Sequence, residues 1–483
     1  MYTRNEDTIC APATIPGTGA ISIIRISGPK ALEIADKVIH CRKGKISDSG
    51  GYTIRFGTVQ DASGKVLDEV LASIFRAPHS YTGEDSVEIS CHASAYIVSE
   101  MMALLFSAGA RAAEPGEFTQ RAYLNGKMDL AQAEAVADLI SSQNAAAHRI
   151  ALKQMKGGFS SELREMRGEL LEIVSLMELE LDFSEEDVEF ADRDRLDTLL
   201  DQIITHVGRL IDSFRLGNAI KNGVPVAIAG ATNTGKSTLL NALLGEDRAI
   251  VSDIHGTTRD TIEETLNIDG VLFRFIDTAG LRETSEVVEK IGIERTFKKI
   301  SEASIILGMV DLTRDIDTTL RTVSDIIDNV DFNSQKLVIL LNKTDLTDVN
   351  KNVILTNSIV SLINNKGITI DECKNNDQAV NILQISAKTG SGIEKLRNLL
   401  ASTQHDILGD SDTTLVTNQR HVQALSEART SLLRVREGLA SALPTDLAAQ
   451  DIREAIYHIG SIVGEISTDE VLGNIFQNFC IGK

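Results

Sequence analysis

Long apolar runs, paired cysteines and net positive charge are all missing from this sequence of 483 residues. No run of about 18 apolar residues is present to span a bilayer. The first residues carry Glu6 and Asp7 and lack the basic and then apolar pattern of a signal peptide. These absences argue against membrane-spanning and secreted classes and predict a cytoplasmic location.

The five cysteines stand singly, without a Cys-x-x-Cys pair. This spacing argues against a structural zinc site and against a disulfide framework, and it fits a reducing compartment. The cysteines are Cys10, Cys41, Cys91, Cys373 and Cys480.

Positive charge is scarce, because 48 lysines and arginines stand against 69 aspartates and glutamates and leave a formal net charge of -21. Nonspecific attraction of an RNA backbone needs positive potential, which this balance opposes. An RNA partner must therefore meet a local basic patch or arrive with a second protein.

Apolar residues are plentiful, since 42% of the chain is hydrophobic and 24% is charged. Typical domain sizes then predict about three domains with sizeable cores. Residues 8–122 contain short β-rich runs separated by Gly, Pro and Ser, which predict a small α/β domain. The predicted strands are 20–26, 52–59, 66–75 and 86–90.

A helical pattern follows in residues 129–216, where proline is absent. Long packed helices are the simplest account. An acidic stretch at 178–194 interrupts them and is interpreted as a solvated loop or helix end. The apolar residues at helical spacing are Leu163, Met166, Leu170, Ile173, Val174, Met177 and Leu181.

Near Asn222 apolar strands begin to alternate with helical stretches, which predicts a mostly parallel sheet covered on both faces. After about Gln404 the helical pattern returns. The predicted fold class is a multidomain α/β plus α chain, with a P-loop domain inserted into a helical domain made of two segments. The predicted segments are an α/β domain at 1–122, helical segments at 123–221 and 405–483, and a Ras-like P-loop domain at 222–404.

A phosphate-binding loop is predicted at 230–237, Gly-Ala-Thr-Asn-Thr-Gly-Lys-Ser, because this motif follows a strand and opens a helical stretch. Its backbone N–H groups are expected to face phosphate oxygens. Lys236 is expected to place a cation on the terminal phosphates, and the Ser237 hydroxyl is expected to ligate magnesium.

Three further motifs at strand ends predict that the nucleotide is GTP: Asp-Thr-Ala-Gly at 277–280, Asn-Lys-Thr-Asp at 342–345 and Ser-Ala-Lys at 386–388. Asp-Thr-Ala-Gly at 277–280 supplies an aspartate for the magnesium shell and an amide for the γ-phosphate. Asp345 of Asn-Lys-Thr-Asp selects guanine, because its carboxylate accepts both the ring N–H and the exocyclic amine. The predicted GTP-binding residues are Asn233, Thr234, Gly235, Lys236, Ser237, Thr238, Ser252, Asp253, Ile254, His255, Gly256, Thr257, Thr258, Asp277, Thr278, Ala279, Gly280, Asn342, Lys343, Asp345, Ser386, Ala387 and Lys388.

A switch-like loop at 252–260 contains two adjacent threonines, of which Thr258 is the candidate for a second magnesium ligand. The alternative is an ordinary glycine-containing turn before a hairpin. The residue that orients water is less obvious, because Leu281 stands where Ras-like proteins carry a glutamine. The acidic candidates, each of which could instead be a solvated helix residue, are Glu283, Glu286 and Glu289.

Further motifs lie in all three predicted domains. They are Ser-Tyr-Thr-Gly-Glu-Asp at 80–85, Pro-Gly-Glu-Phe at 115–118, Asp-Leu-Ala-Gln-Ala-Glu-Ala at 129–135, Gly-Thr-Thr-Arg-Asp at 256–260, Asp-Thr-Ala-Gly-Leu-Arg-Glu at 277–283, Ile-Gly-Ile-Glu-Arg at 291–295 and Cys-Ile-Gly-Lys at 480–483. With the phosphate loop, they resemble the tRNA modification GTPases of the MnmE family, also called TrmE, over essentially the whole chain.

The resemblance implies a potassium-activated GTPase whose G domains meet face to face in a homodimer. Potassium takes the place of an arginine finger at the β/γ-phosphate junction, where charge develops in the transition state. The implied water-orienting residue is Glu289, and Arg282 is an implied switch partner. The implied potassium ligands are Asn233, Ser252, Ile254 and Thr257.

The resemblance also implies an N-terminal dimerisation domain that binds a reduced folate, either 5-formyl- or methylene-tetrahydrofolate. The implied folate contacts are Arg25, Glu88, Lys127 and Lys483. The sequence departs from the family after Glu88, where Ile-Ser-Cys-His-Ala-Ser at 89–94 replaces a glycine-rich segment. This change is expected to alter a backbone approach near the pterin. Thr232 replaces the usual proline, which loosens the phosphate loop without removing a ligand.

The implied reaction adds an aminomethyl or carboxymethylaminomethyl group to C5 of the wobble uridine of tRNA. The implied partner is a FAD-binding protein called MnmG or GidA, in a heterotetramer or larger complex. The chain has no Gly-x-Gly-x-x-Gly fingerprint, in agreement with flavin binding by the partner. Cys480 is implied to act near the folate or the modified base, as a nucleophile or as a positioning group.

Two other functions stay open. The first is a regulatory or ribosome-assembly GTPase without one-carbon chemistry, which a folate site and the Cys480 tail would argue against. The second is a folate-binding protein with a vestigial G domain, which the intact Lys236, Ser237, Asp277 and Asp345 oppose.

Overall fold

The computed structural model describes residues 7–61, 63–182, 193–245, 264–276, 303–332, 335–370, 379–405, 414–441, 445–465, 469–477, 479 and 482. The chain splits into two compact units. One unit consists of Met1–Ser141, Ala151–Arg209 and Arg420–Lys483, and the other consists of Ser142–Ile150 and Leu210–Gln419. The four predicted domain segments stay a prediction.

The helices of the described residues include the long ones that the proline-free pattern predicts. In chain order they are α1 Ala31–Val38, α2 Ala95–Ala108, α3 Glu117–Leu124, α4 Leu130–Ser141, α5 Ala145–Met155, α6 Gly158–Asp182, α7 Arg193–Asn222, α8 Lys236–Leu244, α9 Ile316–Ile327, α10 Val349–Asn365, α11 Ile393–His405, α12 Gln419–Ala440, α13 Thr445–Val463 and α14 Asp469–Phe476. In the first unit α6 packs against α13, and its residues Leu163, Leu170 and Met177 are buried.

A seven-stranded sheet forms the N-terminal part of the first unit. Its strands are β1 Ile9–Pro12, β2 Ile21–Ser27, β3 Ile39–Cys41, β4 Thr53–Gln60, β5 Val66–Phe75, β6 Ser86–His92 and β7 Arg111–Ala112. Their order across the sheet is β3-β4-β5-β6-β2-β1-β7. The four predicted strands are present, whereas β1, β3 and β7 are too short to show a period in the sequence.

The side chains on the two faces of this sheet differ in how deeply they are buried. On one face Ile24, Val87 and Ile89 are fully buried in a core shared with α1 and α2. On the other face Ile54 and Leu71 are 65% and 47% exposed. Successive side chains of a strand point to opposite faces of the sheet, so the apolar residues at alternate positions form a core on one face.

A buried charge cluster joins α4 and α12 within the first unit. Arg420 Nε donates to Glu134 Oε1 at 2.9 Å, and His421 Nε2 lies 2.6 Å from Glu134 Oε2. Burial acts to raise the pKa of Glu134, but His421 and Arg420 outweigh it and lower the pKa to about 2. Arg420 Nη1 also donates to the Ser461 carbonyl of α13 at 2.9 Å, so Arg420 of α12 contacts both α4 and α13.

Replacing Glu134 with glutamine is expected to lower the free energy of unfolding by about 3–5 kcal/mol at pH 7, because Glu134 is buried and the Arg420 guanidinium would lose its carboxylate partner. A carboxyl group with a depressed pKa stabilises the fold above its unfolded value of 4.5 and loses that contribution as the pH falls toward 2. Wild type should therefore lose this stabilisation between about pH 4.5 and pH 2, and the variant should not.

Urea denaturation followed by circular dichroism at several pH values measures this effect. The matched control is Glu165→Gln on the exposed side of α6, which should change stability by less than about 0.5 kcal/mol. Equal stability of the two variants at pH 7 would contradict the prediction.

The second unit contains another seven-stranded sheet. Its strands are β8 Val224–Gly230, β9 Glu264–Ile268, β10 Val271–Phe275, β11 Ile305–Asp311, β12 Lys336–Asn342, β13 Thr369–Ile370 and β14 Ala379–Gln384. The order is β13-β14-β12-β11-β8-β10-β9, and all pairs are parallel except the β9–β10 hairpin. Separate apolar clusters cover its two faces, which confirms the predicted mostly parallel, two-faced sheet.

None of the helices in the described ranges is long and apolar enough to cross a membrane. Within the same ranges, no group of three or more His, Cys, Asp or Glu side chains is placed to hold a metal ion. The magnesium and potassium ligands predicted from the sequence are hydroxyl, amide and carbonyl oxygens, which such a cluster would not include.

Candidate functional site

The phosphate loop lies between β8 and α8, as the motif predicts. Gly230, Asn233 and Gly235 have positive φ angles of 153°, 64° and 100°. These residues turn the chain sharply, and α8 begins immediately afterwards at Lys236. The first N–H groups of a helix have no partner within the helix, so the loop is suited to bind an anion.

Asn342 connects the phosphate loop to the predicted base-binding motif at 386–388. Its Nδ2 donates to the Thr234 carbonyl at 2.7 Å, and its Oδ1 accepts from the Ala387 N–H at 2.9 Å. The side chain is buried. A Cβ atom at Gly235 would lie 2.4 Å from Asn342 Nδ2, so this bridge requires glycine at that position.

Lys236 is held inside the phosphate loop. Its Nζ donates to the carbonyls of Gly230 and Ala231 at 2.8 and 3.0 Å. Burial lowers the pKa of Lys236. An anion bound in the loop would favour the charged ammonium again, so the arrangement suits a phosphate.

The base-binding loops hold Asp345 in a fixed position. Ser386 Oγ donates to Asp345 Oδ1 at 2.6 Å, and the Ser386 N–H donates to the Ser391 carbonyl at 2.9 Å. A carboxylate offers about four acceptor positions, so the bond from Ser386 leaves capacity for two N–H donors of a base. Lys388 follows Ala387 and is exposed.

Asp311 and Arg314 belong to this site and were not predicted. Lys343 Nζ lies 2.7 Å from Asp311 Oδ2, and Arg314 Nη2 donates to the Thr232 carbonyl at 2.8 Å. Burial acts to raise the pKa of Asp311, but hydrogen bonds from Lys343 and Thr313 outweigh it and lower the pKa. The sequence contained a signal for Asp311, because this residue ends an apolar strand just as Asn342 does.

The strand register brings these residues together. Met309 of β11 pairs with Gly230, and Asp311 pairs with Asn342. The described residues of the predicted GTP site therefore lie together at the carboxyl ends of β8, β11 and β12. Ser237 and Thr238 stand in the first turn of α8.

The other predicted nucleotide, metal, catalytic and tail residues lie outside the described residues. They are Ser252, Asp253, Ile254, His255, Gly256, Thr257, Thr258, Asp277, Thr278, Ala279, Gly280, Arg282, Glu289, Cys480 and Lys483.

The N-terminal sheet carries the predicted Arg25 and Glu88 as a direct pair. They lie opposite each other on β2 and β6, and Arg25 Nη2 is 2.8 Å from Glu88 Oε1. The Arg25 guanidinium lies 5.2 Å from the centre of the Tyr81 ring and 5.6 Å from that of Phe118. Arg25 Nη1 also donates to the Gly482 carbonyl at 3.4 Å.

Lys127 lies beside the loop that contributes Tyr81. Its Nζ donates to the Pro78 carbonyl at 2.9 Å. The loop is fixed from within the same unit, since Ser27 Oγ donates to Glu84 Oε2 at 2.7 Å and Asn125 Nδ2 donates to the Thr82 carbonyl at 2.8 Å. The sequence motif at 80–85 pointed to this loop without identifying Tyr81.

The segment at 89–94, which departs from the family pattern, belongs to β6 as far as His92. Cys91 is buried, and burial raises the pKa of its thiol to about 11. The His92 N–H donates to Asp68 Oδ2 at 2.9 Å, and His92 Nδ1 lies 2.7 Å from Asp68 Oδ1. The His92 backbone and ring thus have a partner on β5. Because its pKa is raised, Cys91 is not a reactive thiolate.

Two family models match the chain. The model of the MnmE helical domain matches residues 130–480, and that of the GTP-binding protein TrmE N-terminus matches residues 8–127. The tRNA modification GTPase MnmE of Bacteroides thetaiotaomicron is 52% identical over 482 residues, which are 99% of this chain and 100% of that protein. That of Parabacteroides distasonis is 50% identical over 479 residues, with coverage of 99% and 100%.

Solved structures match a smaller part of the chain. Aquifex aeolicus Era bound to GDP and AlF4- is 24% identical, covers 43% of this chain and 66% of its own, and has a TM-score of 0.27. The G domain of the T. maritima FeoB iron transporter is 22% identical, covers 38% of this chain and 99% of its own, and has a TM-score of 0.25.

The matches to whole relatives confirm the predicted resemblance. They also confirm the predicted fold class of α/β, helical and P-loop parts, and the predicted enzyme class of GTP hydrolase. The chain belongs to the tRNA modification GTPase MnmE family.

Proposed function

We propose that this chain is a potassium-activated GTPase that helps to add an aminomethyl or carboxymethylaminomethyl group to C5 of the wobble uridine of tRNA. The observation that carries its guanine-nucleotide part is the Asn342 bridge. It holds the phosphate loop and Ala387 together, while Ser386 orients Asp345 beside them. This geometry supports a site for both phosphate and guanine at the carboxyl ends of β8, β11 and β12.

The proposed cations are magnesium, held by Ser237 and Thr258, and potassium, held by Asn233, Ser252, Ile254 and Thr257. Asn233 supports this assignment, because it is exposed in the phosphate loop with a φ of 64°. Potassium supplies positive charge at the β/γ-phosphate junction when it is bound. Glu289 is the proposed residue that orients the attacking water, with Arg282 as a switch partner.

Potassium in place of sodium at equal ionic strength is expected to raise the GTP hydrolysis rate at least about tenfold, and Asn233→Ala and Glu289→Ala are each expected to lower kcat by about 100-fold. The matched control is Asn350→Ala, an exposed asparagine at the start of α10, which should retain wild-type rates in both salts. Hydrolysis that is indifferent to the cation would contradict the proposal and favour a ribosome-assembly GTPase.

The proposed one-carbon donor is a reduced folate bound near Arg25 and Glu88, with Lys127, Lys483 and Cys480 contributing. Tyr81 and Phe118 support this site, because they flank the Arg25 guanidinium with flat apolar rings. Cationic side chains suit the glutamyl carboxylates of a folate. The Glu88 carboxylate would be shared between Arg25 and the pterin amino edge.

A homodimer is proposed to form through the exposed part of the second face of the N-terminal sheet, on β4, β5 and the start of β2. Ile21, Ile54 and Leu71 are 65%, 65% and 47% exposed there, and an exposed apolar group of this kind suits a self-complementary interface. Arg25 and Glu88 lie on the same face, because they alternate along β2 and β6 with side chains that point into the core, and Tyr81 and Phe118 lie against Arg25 there. Folate and dimer would therefore share one surface.

The proposed partners are tRNA and the FAD-binding protein MnmG or GidA, and the proposed location is the cytoplasm. The names of the relatives, tRNA modification GTPase MnmE, support tRNA as the substrate. Each relative aligns along its whole length, so the proposal applies to the entire chain and not to the G domain alone.

A further inference from the structure

A basic loop follows the edge strand β3 of the N-terminal sheet. Between Asp36 and Asp48 the sequence contains Arg42, Lys43 and Lys45 and no acidic residue. This local excess of positive charge stands in a chain whose net charge is -21. All three cations are exposed, at the open edge of the sheet.

The loop has a fixed shape. Asp36 Oδ1 accepts from the Ile46 N–H at 2.6 Å, and the Ile46 side chain is fully buried. Ser49 Oγ donates to the Lys45 carbonyl at 3.1 Å, and Arg76 Nη2 donates to the Ser49 carbonyl at 3.2 Å. The three cations therefore project from a pre-organised backbone, which lowers the entropy lost when they bind.

The charges of this loop are not neutralised by the protein. No ion pair is found for Arg42, Lys43 or Lys45 among the residues that the structure describes. Arg42 instead lies 5.6 Å from the centre of the Phe56 ring, which orients the guanidinium without removing its charge. The Asp36 carboxylate nearby is occupied by backbone N–H groups of the loop.

We propose that this basic loop, residues 42–45, binds the phosphate backbone of tRNA. The inference rests on the proposed function and assigns a surface to its RNA substrate. RNA phosphates repeat along a strand and release counterions when several cations meet them, so a row of Arg and Lys on a fixed loop matches them well. The net charge of the whole chain, -21, opposes nonspecific attraction of RNA, so contact with RNA phosphates calls for a local basic surface of this kind.

The test compares two variants of the full chain with equal net charge. One carries Arg42→Gln, Lys43→Gln and Lys45→Gln, and the control carries three exposed lysines changed to glutamine elsewhere in the first unit. The control positions are Lys30, Lys65 and Lys156. The probe is an in vitro transcribed tRNA with uridine at the wobble position, titrated at several salt concentrations.

The loop variant is expected to bind tRNA about 10- to 100-fold more weakly at 0.1 M salt, and its slope of log K against log salt should be smaller by about 2–3. The control should keep the wild-type slope. Arg42→Lys alone should also keep it, because a phosphate contact needs charge more than shape. GTP hydrolysis and oligomeric state should be unchanged in every variant, which establishes that they are folded.

Other outcomes distinguish a failure of the proposed function from a failure of the proposed tRNA-binding surface. A wild-type protein that does not bind tRNA would refute the proposed function and, with it, this surface. Wild-type binding with an equal slope in the loop variant would refute the surface alone. Unchanged tRNA binding with lost binding to the flavoprotein would also overturn the proposal, because the loop would then serve an acidic protein.

Discussion

Replacing Asp345 with asparagine is expected to weaken GTP binding by about 1000-fold or more and to make xanthosine triphosphate the preferred nucleotide. An ionised Asp345 only accepts hydrogen bonds, and guanine offers it two N–H donors. The asparagine side-chain NH2 would face the exocyclic amine of guanine. Both groups are hydrogen-bond donors, so no bond could form between them. Xanthine carries a carbonyl oxygen at that position and accepts the new donor.

Equilibrium binding of labelled GTP and xanthosine triphosphate to the full chain measures this exchange. Asp348→Asn is the matched control, because Asp348 caps α10 by accepting from the Lys351 N–H at 2.7 Å and asparagine is an equally good cap. The control should bind GTP as wild type does. Loss of GTP binding in Asp345→Asn without a gain for xanthosine triphosphate would show that Asp345 does not contact the base.

Gly235→Ala is expected to lower the free energy of unfolding of the second unit by about 2–5 kcal/mol and to abolish tight nucleotide binding. Two independent causes act together. The φ of 100° at Gly235 is strained for any residue with a Cβ. That Cβ would also lie 2.4 Å from Asn342 Nδ2, so the bridge to the Thr234 carbonyl would break.

Urea denaturation followed by circular dichroism, together with GTP binding, measures both effects. Gly168→Ala is the control, because the site on α6 has nothing within 4 Å of the new Cβ. Alanine should stabilise that helix by about 0.5–1 kcal/mol. Normal GTP affinity in Gly235→Ala would disprove the close approach of the two loops.

The G-domain part of the site was predictable from sequence because its motifs are local and attached to strand ends. Gly230 and Asn342 each end an apolar strand, and parallel strands place such ends at one edge of the sheet. Asp311 obeys the same rule, yet its neighbours form no familiar motif. Its pairing with Lys343 therefore appeared only in the structure.

Contacts between distant parts of the chain were beyond sequence reasoning. Glu134 and His421 are 287 residues apart, and neither stands in a pattern that indicates the other. The basic loop was missed for another reason. The net charge of the whole chain is strongly acidic and hides three local cations. In addition, β3 has only three residues, so the sequence did not show that these cations follow an edge strand.

The contact between Arg25 and the Gly482 carbonyl has a consequence for biosynthesis. The two residues are 457 positions apart, and a Cβ at Gly482 would lie 2.2 Å from the Pro12 carbonyl oxygen, so Gly482 lies directly against β1. At about 5–20 residues per second, a ribosome needs on the order of half a minute to a minute and a half to make that stretch. The hydrogen bond from Arg25 to the Gly482 carbonyl can therefore form only after the ribosome has translated residue 482.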